Sequence, residues 1–129
     1  MSAPADAADQ LRAFALAYPE PHLKSPWPAH ADLAVKDKTF AYLSAAGEPF
    51  SISCKLPFTG PEAREMSFVQ PTGYGLGKSG WVTASWPDDV ADPMAMFRAW
   101  IDESYRAQAS KKLVALAPAF AGSGLQRLT

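Results

Sequence analysis

Leu11, Phe14, Ala15 and Tyr18 recur at i, i+3, i+4 and i+7, one apolar stripe at helical spacing. It predicts a first helix that starts at Asp6 as N-cap and stops ahead of Pro19, because a proline disfavours helical geometry in the residue before it. Residues 19–30 then hold Pro19, Pro21, Pro26 and Pro28 around Trp27, a spacing that predicts an extended connector lying over the core and pinned by the tryptophan. After it the period changes to two. Leu33 and Val35 alternate with Asp32, Ala34 and Lys36, and Lys36-Asp37-Lys38 reads as a polar turn. Thr39 to Ser44 follows as a second strand with Phe40 and Tyr42 on one face. Beyond a turn at residues 45–49, Phe50, Ile52 and Cys54 are expected to point inward and Ser51, Ser53 and Lys55 outward. The connections between these three strands are too short for a parallel crossover, so the strands should pair antiparallel.

Pro61 suits the first position of a short helix running to Met66, after which Phe68 and Val69 lead to Pro71. The next stretch, residues 73–86, carries two misleading signatures. Gly75, Gly77 and Gly80 fit G-x-G-x-x-G, and Gly77-Lys78-Ser79 resembles the end of a phosphate loop. Both motifs need the glycines to open a helix whose free N–H groups hold phosphate. Here they run into Trp81-Val-Thr-Ala-Ser-Trp86, an aromatic and β-branched run that reads as a strand, and Thr72 stands where the first glycine of a phosphate loop belongs. The expected structure is a tight β-hairpin with Tyr74, Leu76 and Lys78 on one face and Gly73, Gly75 and Gly77 on the other. In the last helix Asp92 is the expected cap and Pro93 the first residue, with Phe97, Trp100, Ile101, Ser104 and Tyr105 along one face. It is expected to reach about Leu116 with a break near Ser110. The order of elements describes an α+β fold, a twisted antiparallel sheet of about five strands with N- and C-terminal helices packed on one face and the other face partly open.

Composition narrows the function classes. At 129 residues the chain is expected to form a single domain, frayed at about 1–5 and 118–129. No apolar run is long enough to cross a bilayer, no signal pattern opens the chain, and the single Cys54 has no internal partner; a cytoplasmic setting without membrane attachment is expected. The 12 Lys+Arg and 13 Asp+Glu leave a formal net charge of −1, so nucleic-acid binding would require clustered bases. Arg106, Lys111, Lys112 and Arg127 follow Ser104 with no acid among them, a distribution that also complements the dipole of the last helix.

With that order in place, three segments carry a resemblance to the MmcQ/YjbR family of small bacterial proteins, over about Leu11 to Leu116. Leu33-Ala-Val-Lys-Asp-Lys-Thr-Phe-Ala41 resembles the family's F-x-V-x-G-K-x-F-A hairpin, and Gly73-Tyr74…Lys78…Trp81 its G-Y-x-x-x-K-x-x-W segment. Trp100-Ile-Asp-Glu-Ser-Tyr105 is similar to its L-I-x-x-S-Y, and Pro19-Glu20 followed by Trp27 is similar to its opening loop. Asp37 stands at the usual glycine, and Gly75 and Gly77 replace larger polar residues. The resemblance implies a CyaY-like (frataxin-like) fold and DNA binding through a sheet shaped like a double wing.

Lys78 is the family-matched candidate for a phosphate contact, joined by Lys36 and Lys38 at another turn and by Lys55. A two-stranded ribbon fits the roughly 12 Å major groove, so two lysine-bearing tips form a physically feasible DNA clamp. The same lysines read equally as solvated charges that block edge-to-edge aggregation. Tyr74, Trp81 and Trp27 are candidates for a stacking surface that would take a base, a small planar ligand or a protein partner; a Tyr74–Trp81 cross-strand pair holding the hairpin is the plainer alternative. Ser104 and Tyr105 read as residues at the edge of the core. His22, His30 and Cys54 lack metal-ligand spacing, and the adjacent carboxylates Asp88 and Asp89 suit capping of the last helix. No nucleophile-and-base arrangement is present, so neither catalysis nor a cofactor is expected.

Overall fold

The computed structural model describes residues 6–18, 21–23, 33–35, 38–44, 49–72, 80–87 and 90–116, with 21–23 as main chain only. Helix α1 (Ala7–Leu16) leads to β1 (Pro21–Leu23), β2 (Leu33–Val35), β3 (Lys38–Leu43) and β4 (Ile52–Lys55). Helix α2 (Gly60–Ala63), β5 (Val69–Pro71), β6 (Trp81–Ala84), α3 (Pro93–Gln108) and α4 (Lys111–Leu116) complete the order. The strands form a single sheet in the order β1-β2-β3-β4-β6-β5, and every neighbouring pair is antiparallel. Helix α3 lies against β3 and β4, and α1 beside it against β1 and β2. This is the α+β arrangement expected from the sequence, with a sixth strand drawn from the proline-rich connector.

The local signals act as anticipated at most boundaries. The Asp92 carboxylate accepts from the Ala95 N–H at 3.1 Å and Pro93 opens α3. The predicted break falls at Ala109, which is extended, and the Ser110 hydroxyl accepts from Leu113 N to start α4. Leu11 and Ala15 of α1 and Tyr18 just after it are buried, as are Phe97, Trp100, Ile101, Ser104 and Tyr105 on α3. Ring contacts divide the core into two groups. Tyr105 meets Tyr18 and Phe40, while Phe97 meets Phe50, Trp86 and Trp100. Ser104 and Tyr105 lie at the centre of the core rather than at its edge, both with no exposed surface.

Two strand expectations are corrected. Leu33 pairs with Ala41 but the next residue, Ala34, pairs with Thr39, so Phe40 is the extra residue of a β-bulge. The bulge turns Phe40 toward α3, where it packs edge-on against Tyr105, while Tyr42 stays on the opposite sheet face against Trp81. Phe40 and Tyr42 therefore do not share a face. The second correction concerns the hairpin: the strand paired with β6 is Val69–Pro71, ahead of the glycines. Trp81–Ala84 is extended chain, and Gly80 enters it at φ +90°, a conformation that a side chain would strain. Residues 73–79, with Tyr74 and Lys78, lie outside the described residues.

The β5 edge is closed to further strand pairing by its own chemistry. Phe68, Gln70 and Thr72 turn their main-chain groups to β6, which leaves Val69 and Pro71 facing outward. The Val69 N–H is already bonded to the Met66 carbonyl at 3.1 Å, and Pro71 has none. An outward edge without a free donor is a poor template for another strand.

Two protonated groups inside this fold predict an alkaline weakness. Burial, reinforced by the nearby Glu103 charge, pushes the Cys54 thiol up, so it is a packed apolar group rather than a nucleophile. Burial, then its hydrogen bond to Asp102, pushes the Tyr18 phenol up. In the unfolded chain these groups release protons near about pH 8.5 and about pH 10, respectively. Above those values the unfolded chain binds fewer protons than the fold, so stability falls as pH rises. Melting temperature is expected to hold between about pH 7 and 8 and to decline above about 8.5. Cys54→Ala should flatten the early part of the decline; an unchanged slope in that variant would remove the thiol from the explanation.

Candidate functional site

The β2–β3 and β5–β6 connections begin and end at the same end of the sheet. Val35 pairs with Lys38 there, Lys55 with Trp81, and Pro71 with Val82. Lys38 is exposed at the start of β3, and Lys55 is half-buried at the end of β4. Helix α3 also finishes there, since the Gln108 amide donates to the Thr39 carbonyl at 3.0 Å. The exposed Lys111 and Lys112 follow it. In strand order, one hairpin is centred between β2 and β3 and the other between β6 and β5. Their centres are three strand spacings apart, about 14 Å. Lys36 and Lys78 belong to the two connections but lie outside the described residues, as do Tyr74 and Trp27.

Trp81 does not offer a ring face. It is 4% exposed, with its ring centroid 5.4 Å from that of Tyr42. On the same sheet face the Ser53 hydroxyl is 2.7 Å from that of Thr83, which is 2.9 Å from that of Thr72. These hydroxyls satisfy one another across β4, β6 and β5. The second face, expected to be partly open, is therefore closed at its centre by Trp81 and Ser53, while Gln70 and Ser85 remain exposed.

A groove of about 260 Å³ does form at the opposite end of the sheet, lined mainly by Ser51, Ser67, Phe68, Gln70, Thr83 and Ser85. Among the described residues its lining has no charged side chain, and it lies at the other end of the sheet from Lys38 and Lys55, so it is not part of the same site. Among the described residues no three His, Cys, Asp or Glu side chains come together as a metal-binding set, and no helix is long and apolar enough to cross a membrane.

The lysine-bearing end has a rigid centre that the sequence reading missed. Just past β4, the chain turns at Leu56-Pro57-Phe58-Thr59, and Phe58 is 85% exposed. The loop is held by Glu103 of α3, whose carboxylate accepts from the Phe58 N–H at 2.8 Å and from the Thr59 N–H at 3.0 Å. The Thr59 hydroxyl donates to its other oxygen. A bare Phe following Pro57 is the only sequence signal of this loop, because its anchor lies 45 residues away.

A model of the YjbR family matches residues 16–107. Among solved structures, a Deinococcus radiodurans protein with a DUF419 domain is 23% identical, covers 90% of this chain and 91% of its own, and superposes with a TM-score of 0.68. A Pseudomonas syringae protein is 18% identical over 78% of this chain and 97% of its own, with a TM-score of 0.58. These likenesses concern the fold. Among curated proteins, none matches the chain.

Proposed function

We propose that this chain, which belongs to the YjbR family, binds nucleic acid without catalysis, using the sheet end where its two hairpins leave. What supports this reading is the common exit of the two lysine-bearing connections. The strand pairs from which the two connections leave are centred about 14 Å apart, close to a groove about 12 Å wide, so a lysine in each connection could meet a phosphate on one rim. Lys38 and Lys55, with Lys36 and Lys78 in the connections themselves, would supply the charge. Lys111 and Lys112 add to it and offset the negative end of α3. With a net charge of −1 there is no broad positive field, so binding should be weak and highly salt-sensitive.

Fluorescence anisotropy with a labelled duplex tests this directly. Four phosphate contacts predict a log–log salt slope of about −3 to −4, or on the order of 100-fold weaker binding between about 50 and 200 mM salt. Lys78→Ala and Lys38→Ala should each reduce the slope by about 1, whatever the DNA sequence. Absence of binding by micromolar protein at about 50 mM salt would refute the proposal.

A further inference from the structure

Phe58 is the most exposed large apolar side chain among the described residues, and its main chain is fixed from two sides. Glu103 holds the Phe58 and Thr59 N–H groups, and Leu56 bonds through its N–H to the Gly80 carbonyl and through its carbonyl to the Gly60 N–H. Such a loop loses little conformational freedom when something docks on the ring. Its place in the sheet is specific. The loop that carries Phe58 follows β4, and β4 lies in the sheet between the strand pairs β2–β3 and β6–β5, so the loop leaves the sheet between the strands that bear the two connections. The Glu103 carboxylate that holds the loop disfavours a phosphate at that point. An uncharged aromatic face suits it better.

From this we infer that Phe58 is a base-stacking residue: Lys38 and Lys55 at the same sheet end hold the backbone while the ring meets the face of an unstacked base. The inference rests on the proposed function and sharpens it, because it selects nucleic acid whose base faces are accessible. Aromatic side chains stack on unpaired bases without regard to sequence, and a Phe can wedge into a base step that opens easily. A single strand and a duplex with an unpaired base present the same chemistry.

The test compares three labelled DNAs with the full chain at about 50 mM salt: a single strand of mixed sequence, an intact duplex, and that duplex with one unpaired 2-aminopurine. Wild type is expected to bind the single strand or the interrupted duplex more tightly than the intact duplex, and to quench 2-aminopurine fluorescence. Phe58→Ala should weaken binding to the preferred DNA about 5- to 150-fold, abolish the quenching and leave the salt slope unchanged. Phe58→Trp should restore both signals. Because the side chain is exposed, Phe58→Ala should melt at the wild-type temperature. The single strand and the interrupted duplex separately report whether free strands or distorted helices are preferred. Equal affinities of wild type and Phe58→Ala for all three DNAs would overturn the stacking role and leave the lysine-based binding intact. No binding of any DNA by wild type would overturn both.

Discussion

Ser104→Ala is expected to lower the free energy of unfolding by about 2–4 kcal/mol, although it removes one oxygen atom from a 129-residue chain. The register of β3 and β4 brings Tyr42 opposite Ser53, so the next ladder bond would run from the Lys55 N–H to the Phe40 carbonyl. Phe40 is the bulged residue, and at this point the ladder runs through a side chain. The Lys55 N–H donates to the Ser104 hydroxyl at 2.8 Å, and the hydroxyl donates onward to the Phe40 carbonyl at 2.5 Å. Alanine would leave a buried donor and a buried acceptor facing a gap. Urea denaturation of Ser104→Ala against wild type measures the loss. A loss under about 1 kcal/mol would mean that the strands close to re-form the direct bond, and that the hydroxyl is not required to hold the bulge open.

Phe97→Ala should cost about 3–5 kcal/mol, in the range for deleting a fully buried aromatic side chain. Its ring lies 5.3 Å from Phe50 and from Trp100 and 6.0 Å from Trp86, joining α3 to the chain before β4 and after β6. Truncation leaves a void bordered by three rings, from the chain before β4, the chain after β6 and α3 itself. Melting temperature should fall on the order of 10–20 °C, with a change in near-ultraviolet circular dichroism from the two tryptophans. Phe97→Leu should cost clearly less, and equal losses for the two variants would count against the packing explanation.

The legible parts of this fold were those whose cause is local. The α1 stripe, the Asp92–Pro93 start of α3, its break at Ser110 and the alternation of residues 50–55 each rest on a spacing or cap visible within one or two turns. The glycine run leads into a strand because the Trp81–Ala84 segment is aromatic and β-branched. Less was legible where two distant segments decide the outcome. Phe40 and Tyr42 alternate perfectly, and only pairing with β2 shows that a residue is extra. Pro71 belongs to an edge strand because its missing N–H faces away from β6, and nothing near it in the chain shows which of its sides is paired. The same limit applies to the site. The lysines at 36, 38, 55 and 78 are plain in the sequence, but that Lys38, Lys55 and the strand ends bearing the other two connections share one end of the sheet depends on strand order.

By itself, the sequence determined the class of fold, the bounds of α1, the start and break of α3, the inward face of β4 and the strand that follows the glycine run. These follow from propensities, caps and periodicities that act over a few residues. The tertiary structure decided the remaining questions: the bulge at Phe40 and the hydroxyl that bridges it, the burial of Trp81 against Tyr42, and the Glu103 clasp that holds Phe58 in solvent. Each is a contact between groups far apart in the chain. Whether a tryptophan is covered or a loop is held depends on which segments become neighbours, and the sheet order settles that.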